Sequence, residues 1–164
     1  MNIIKKILLV LLLAFVVIQF IRPAKNNGEP EGANHISKSY NVPNGVKAIL
    51  AKACNDCHSN STTYPWYANI QPVTWWLNSH IVDGKKHLNF SEFTTYNLRR
   101  QYHKMEEVIS EVDEKHMPIS SYTITHGDAK LTDAEKTILT NWAQTVMDTM
   151  KARYPIDSLI KKKS

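Results

Sequence analysis

Cys54-Asn55-Asp56-Cys57-His58 contains both cysteines of the chain and a histidine directly behind the second. Two thiols three residues apart lie on one helical turn and can reach the two vinyl groups of one porphyrin. The adjacent imidazole can then swing under the ring to hold its iron. Cys-x-x-Cys-His is the attachment pattern of a c-type haem, and haem iron commonly takes a proximal histidine. One such motif predicts one haem c, with Cys54 and Cys57 as thioether positions and His58 as proximal ligand. Two other uses of the thiols compete. A thioredoxin-like dithiol calls for a strand before the motif and alternating strands and helices around it, and neither pattern is present. A zinc site would need two further ligands, and His80 and His87 are spaced more widely than the usual pair.

The iron's sixth position is less constrained. Met117 precedes Pro118 in a polar loop between two helical patterns, where a thioether can be held over the ring. Met/His ligation raises the reduction potential and suits electron transfer. Methionine also serves as an ordinary core filler, but a proline-bounded polar loop is not an apolar stripe. His126, His80 and His116 are the alternatives, in that order. His103 lies among basic residues on a helix face and reads as solvated. Trp66, Trp75, Trp76, Tyr122 and Trp142, with Tyr64 and Tyr67, are large groups with a polar handle that can wall a porphyrin; each can equally be plain core.

The elements that must position these residues are helical. Val46, Ile49, Leu50 and Ala53 recur at helical spacing and lead directly into Cys54. A short helix is expected over Val73 to Val82. A long one is expected from a Ser91 N-cap to about Glu114, with Leu98, Tyr102, Met105, Ile109 and Val112 on its core face. His116-Met117-Pro118 should stop it. Thr132-Asp133-Ala134-Glu135 is a capping box, opening a last helix with Ile138, Leu139, Trp142, Val146 and Met150 inward, ended by Tyr154-Pro155. No strand or internal repeat appears, so the expected fold is all-α.

The formal charge of +5 is misleading. Lys5, Lys6, Arg22 and Lys25 flank an N-terminal apolar run, and Lys161, Lys162 and Lys163 form a tail. Residues 26–160 hold thirteen basic against fifteen acidic residues, a net of −2, which gives no case for nucleic-acid binding. The pairs Lys85-Lys86 and Arg99-Arg100 can dock an acidic redox partner or form a solvated face. Ile7 to Ile21, extended by Ile3 and Ile4, would reach about 28 Å as a helix. The small-x-small pattern of a cleaved signal is missing at its end, so an uncleaved transmembrane anchor is expected. The flanking charges do not orient it; the haem motif does, because c-type haem is attached outside the cytoplasmic membrane. The expected plan is an anchor over 1–25, a flexible tether over 26–43, a haem domain over 44–160 facing the periplasm from the inner membrane, and a basic tail over 161–164.

These residues carry a family resemblance. The helix ending in Cys54 to His58, the later Met117-Pro118 and the capped helix from Leu131 to Lys136 are similar to a class I cytochrome c. More narrowly, Cys54 to Trp76, Leu88 to Ser91, Met117 to Tyr122 and His126 to Trp142 resemble the membrane-anchored haem-binding-domain proteins of Bacteroidetes-type bacteria. The resemblance implies covalent haem through Cys54 and Cys57, His58 as proximal and Met117 as distal ligand. It names no substrate. The long insert between His58 and Met117 departs from ordinary small cytochromes.

Overall fold

Apolar spacing dictates most elements of the computed structural model, which describes residues 2–160; the basic tail at 161–164 lies outside the described residues. Helix α2, Asn44–Ala53, buries Val46, Ile49, Leu50 and Ala53. Helix α5, Leu98–Asp113, buries Tyr102, Met105 and Val112, with Leu98 and Ile109 packed at the edge. Helix α7, Asp133–Arg153, buries Leu139, Trp142, Ala143, Val146, Met147 and Met150. These faces meet in one cluster with Phe90 and Phe93. Each fully buried side chain of this size stabilises the fold by about 1.5–3 kcal/mol. Ile138, expected on the stripe, is instead 46% exposed, because the stripe runs through Leu139 and Ala143. The all-α expectation stands: among the described residues the only β-type pairing is an isolated bridge between Asn27 and Ser61.

The capping box of α7 is present, with Thr132 accepting from the Glu135 amide and Glu135 accepting from the Thr132 N–H. Lys52 at the end of α2 lies 2.6 Å from Glu135, so one carboxylate joins the start of α7 to the helix that delivers the motif. The Lys52 ammonium first, and the Thr132 amide second, hold the Glu135 carboxyl down at about 2. A depressed folded-state pKa gives stability that is present above the ordinary glutamate value and is lost as pH falls towards 2. The thermal midpoint of wild type should therefore fall between about pH 4.5 and pH 2 more steeply than that of Glu135→Gln, measured by circular dichroism. Parallel profiles would contradict this role for Glu135.

The N-terminal expectation is corrected. Helix α1 covers Ile3–Ile18, 16 residues, or about 24 Å against a hydrocarbon core of roughly 30 Å. No described helix is long and apolar enough to cross a membrane. Where the helix ends, Gln19 pairs with a second glutamine. Gln19 Oε1 accepts from the Gln71 N–H at 3.0 Å, and Gln71 Nε2 donates to Ile21 O at 2.8 Å. The transmembrane helix, and the single-pass inner-membrane placement that rested on it, are thus not supported.

The stretch expected to be a tether supplies Ile36, Tyr40 and Val42 to the main cluster, and its composition gave no hint of this. The long helix also begins later than expected. Ser91 is buried and donates to Pro30 O, residues Phe90–Thr95 form 3-10 turns, and Asn97 caps α5 by accepting from the Arg100 N–H at 2.9 Å. Helix α4 spans Val73–His87, longer at its C-terminal end than expected.

Candidate functional site

Helix α2 breaks at Cys54, and a separate turn, α3 over Asn55–His58, presents the motif. The His58 N–H closes that turn on Cys54 O at 2.9 Å. The His58 ring is fixed from the other side. Its Nδ1 lies 2.9 Å from Leu88 O, and a carbonyl only accepts, so Nδ1 carries the proton and Nε2 keeps its lone pair. Leu88 can offer that carbonyl because it follows the end of α4 in an extended conformation. Burial lowers the His58 pKa and outweighs the Leu88 and Gly84 carbonyls, which favour the charged form. The imidazole is therefore neutral, the form that binds a metal, and its orienting partner is a backbone carbonyl.

Helix α4 reaches the motif through Gly84. A Cβ there would lie 2.7 Å from Cys57 O and 3.0 Å from Cys57 Cβ. No other residue permits this approach without moving one of the two helices. Cys54 and Cys57 are free thiols. Each residue is half-buried, yet the thiols are enclosed enough that burial pushes Cys54 up to about 12 and Cys57 up to about 11. Both are protonated near neutrality, which disfavours thiolate redox chemistry and zinc capture by thiolates. Among the described residues no group of three or more His, Cys, Asp or Glu side chains is placed to hold a metal ion.

The residues around the motif are tied down by polar groups. Asp56 Oδ1 accepts from the Thr63 N–H and Oδ2 from Tyr122 Oη, each at 2.8 Å. Burial, then the hydrogen bond to Asp56, keeps the Tyr122 phenol well above its ordinary pKa and hence protonated. Asn26 connects three parts of the site. Its Nδ2 donates to Ser59 O and Thr62 Oγ1, its N–H donates to Tyr64 Oη, and its Oδ1 accepts from Lys85 Nζ at 2.7 Å. Asn26, Gly84 and the Leu88 carbonyl were not found by sequence reasoning. A lone glycine inside the amphipathic pattern of α4 was the one available signal, because such a glycine often marks close packing.

The candidates for the other side of the iron are placed unequally. Helix α6, Ser120–Thr125, brings Tyr122 and the following His126 to a cavity beside Cys57, together with Leu77 and Ile81. Their rings stack at 4.2 Å, and Tyr67 meets His126 edge-on at 6.5 Å. Met117 does not line this cavity and is 37% exposed. Its position is set by the end of α5, where Lys115 takes a left-handed φ of 63° and Glu111 O accepts from the His116 and Met117 N–H groups. His80 lies tilted against Trp76 on α4, ring centres 4.5 Å apart, and His116 faces Glu111 and Glu114. Trp142 packs on Phe90 inside the main cluster, and Trp75 Nε1 donates to Ile21 O. Trp66 is 77% exposed.

The donor set fits a haem: two unpaired thiols on one turn, followed by a neutral imidazole whose Nε2 is free to bind iron. The room is smaller than a porphyrin, since the cavity holds about 10 Å³. Its walls come from the motif turn, the 62–65 segment, α4, Tyr122 and His126. Such a donor set defines the class as a haem-binding protein. The chain belongs to the haem-binding domain family, whose model matches residues 13–145. No curated protein and no solved structure is matched.

Proposed function

We propose that this protein is a c-type cytochrome that carries single electrons on one covalently attached haem. The observation that carries this reading is the joint placement of Cys54, Cys57 and His58 on one turn, with His58 Nδ1 held by Leu88 O at 2.9 Å. Cys54 and Cys57 would hold the haem as thioethers, each thiol supplying both the sulfur and the hydrogen that add across a vinyl group, so attachment would need no oxidant. The haem supplies an iron that alternates between ferrous and ferric states. His58 would hold that iron through Nε2, and the Leu88 carbonyl raises the basicity of its imidazole. Ile81 and Leu77, which line the cavity beside Cys57, would keep water from a haem held there.

Met117, in the loop between α5 and α6, would be the second residue to hold the iron. A second reading is a sensor or peroxidase-like centre with an open sixth site, and one observation favours it: His126 and Tyr122, not Met117, line the cavity beside Cys57. Carbon monoxide added to the reduced protein separates the two. A six-coordinate carrier should bind it slowly or not at all and should show a reversible one-electron wave in voltammetry. Met117→Ala should open the site, speed carbon monoxide binding at least tenfold and lower the potential, because thioether ligation favours the ferrous state. Fast binding by wild type, unchanged in Met117→Ala and altered in His126→Ala, would replace the carrier by the sensor reading.

A further inference from the structure

We infer that the cleft between the start of α5 and the end of α7 is a binding site for a small organic polyanion, a molecule bearing two or more phosphate or carboxylate groups. The cleft encloses about 1040 Å³ and shares no lining residue with the cavity beside Cys57. Among the described residues its charged lining is Lys38, Arg99 and Arg153, with no carboxylate. Three like charges around one hollow give it a positive potential that favours an anion.

Both arginines are also held by backbone carbonyls. Arg153 Nη1 donates to Ser39 O at 3.1 Å, and Arg99 Nη2 donates to Asp157 O at 3.2 Å. Each guanidinium spends one N–H on a backbone carbonyl and keeps its other donors and its charge. Guanidinium forks match phosphate and carboxylate oxygens. Tyr40 adds a buried wall, its hydroxyl committed to Gln101 Oε1 at 2.8 Å. The two helix ends oppose each other here, with the first turn of α5 favouring an anion and the last turn of α7 disfavouring it. The side-chain charges decide the sign.

The size of the cleft excludes a site built for a single small ion. Two sources of charge, phosphate and carboxylate, share this chemistry, and the test has an arm for each. Pyrophosphate and citrate are titrated separately into the full-length, haem-loaded protein by isothermal calorimetry at low salt. At least one should bind saturably below about 1 mM, a range set by a few charge-assisted hydrogen bonds, and binding should weaken as salt rises. Arg153→Gln and Lys38→Gln should each weaken it at least tenfold, while Lys130→Gln, which removes the same charge elsewhere, should leave it unchanged. Thermal midpoints identify any variant that has lost its fold, and the remaining variant then decides. No saturable binding of either probe, or equal weakening by Lys130→Gln, would overturn the inference. The titration does not depend on how the haem is attached or what it does.

Discussion

Gly84→Val is expected to destabilise the fold and to lose haem with it. The Cβ alone would lie 2.7 Å from the carbonyl oxygen of Cys57, a separation that backbone atoms cannot relieve by a side-chain rotation. Either α4 or the α3 turn must shift, and both serve the motif: α4 ends by presenting the Leu88 carbonyl to His58. Overpacking of one methylene typically costs about 1–3 kcal/mol, and valine adds two more carbons at the same point. Alanine at this position gains about 1 kcal/mol of helix propensity over glycine, so Gly84→Ala sets propensity against the clash, and the clash should win. For a domain of this size the thermal midpoint should fall by more than about 5 °C in Gly84→Val, with reduced haem content in the purified protein. Gly45, where an added Cβ meets nothing within 4 Å, is the control: Gly45→Ala should be neutral or stabilising by up to about 1 kcal/mol. A Gly84→Val protein as stable and as haem-rich as wild type would refute the close approach.

The second large effect concerns the thiols. If both are thioether positions, Cys54→Ala and Cys57→Ala should each keep haem by one bond, and the reduced pyridine haemochrome band should move to longer wavelength because one vinyl group stays conjugated with the ring. The double variant should release its haem to acidified acetone, since only His58 and packing would hold it. His58 keeps its bond to Leu88 in all three, so the ring orientation survives and the change reports attachment alone. If the single variants have the same haemochrome band as wild type, that cysteine carries no thioether.

Much of this architecture could be read from residue order. The capping box at Thr132 and Glu135 and the apolar spacing of α2 are local signals, complete within a few residues, and both are present. The readings that failed depended on contacts distant in sequence. Ser91 looked like a cap but is drawn into the interior by Pro30, and Asn97 takes the role instead. The apolar run at the N-terminus read as long enough for an anchor until Gln19 met Gln71. The stretch around Ile36 is too polar on average to predict burial, yet its three apolar side chains all face the core. The site divides in the same way. The motif states its own chemistry, whereas the carbonyl that orients His58, the glycine that admits α4 and the asparagine that joins loop to helix are tertiary features without a local pattern. Tyr122 was expected to wall a porphyrin, and the structure places it beside Cys57 through Asp56. Trp142 was expected there too and belongs to the main core, because its indole faces Phe90 and Asn41.

Covalent attachment at Cys54 and Cys57 is the central claim, and the mass of the denatured protein tests it most directly. Protein co-expressed with the c-type haem-attachment machinery should, after unfolding in acid, have the mass of the chain plus one haem. After proteolysis that added mass should reside on the peptide containing Cys54 to His58. Denatured protein with the mass of the bare chain, and with its haem free in solution, would contradict the account.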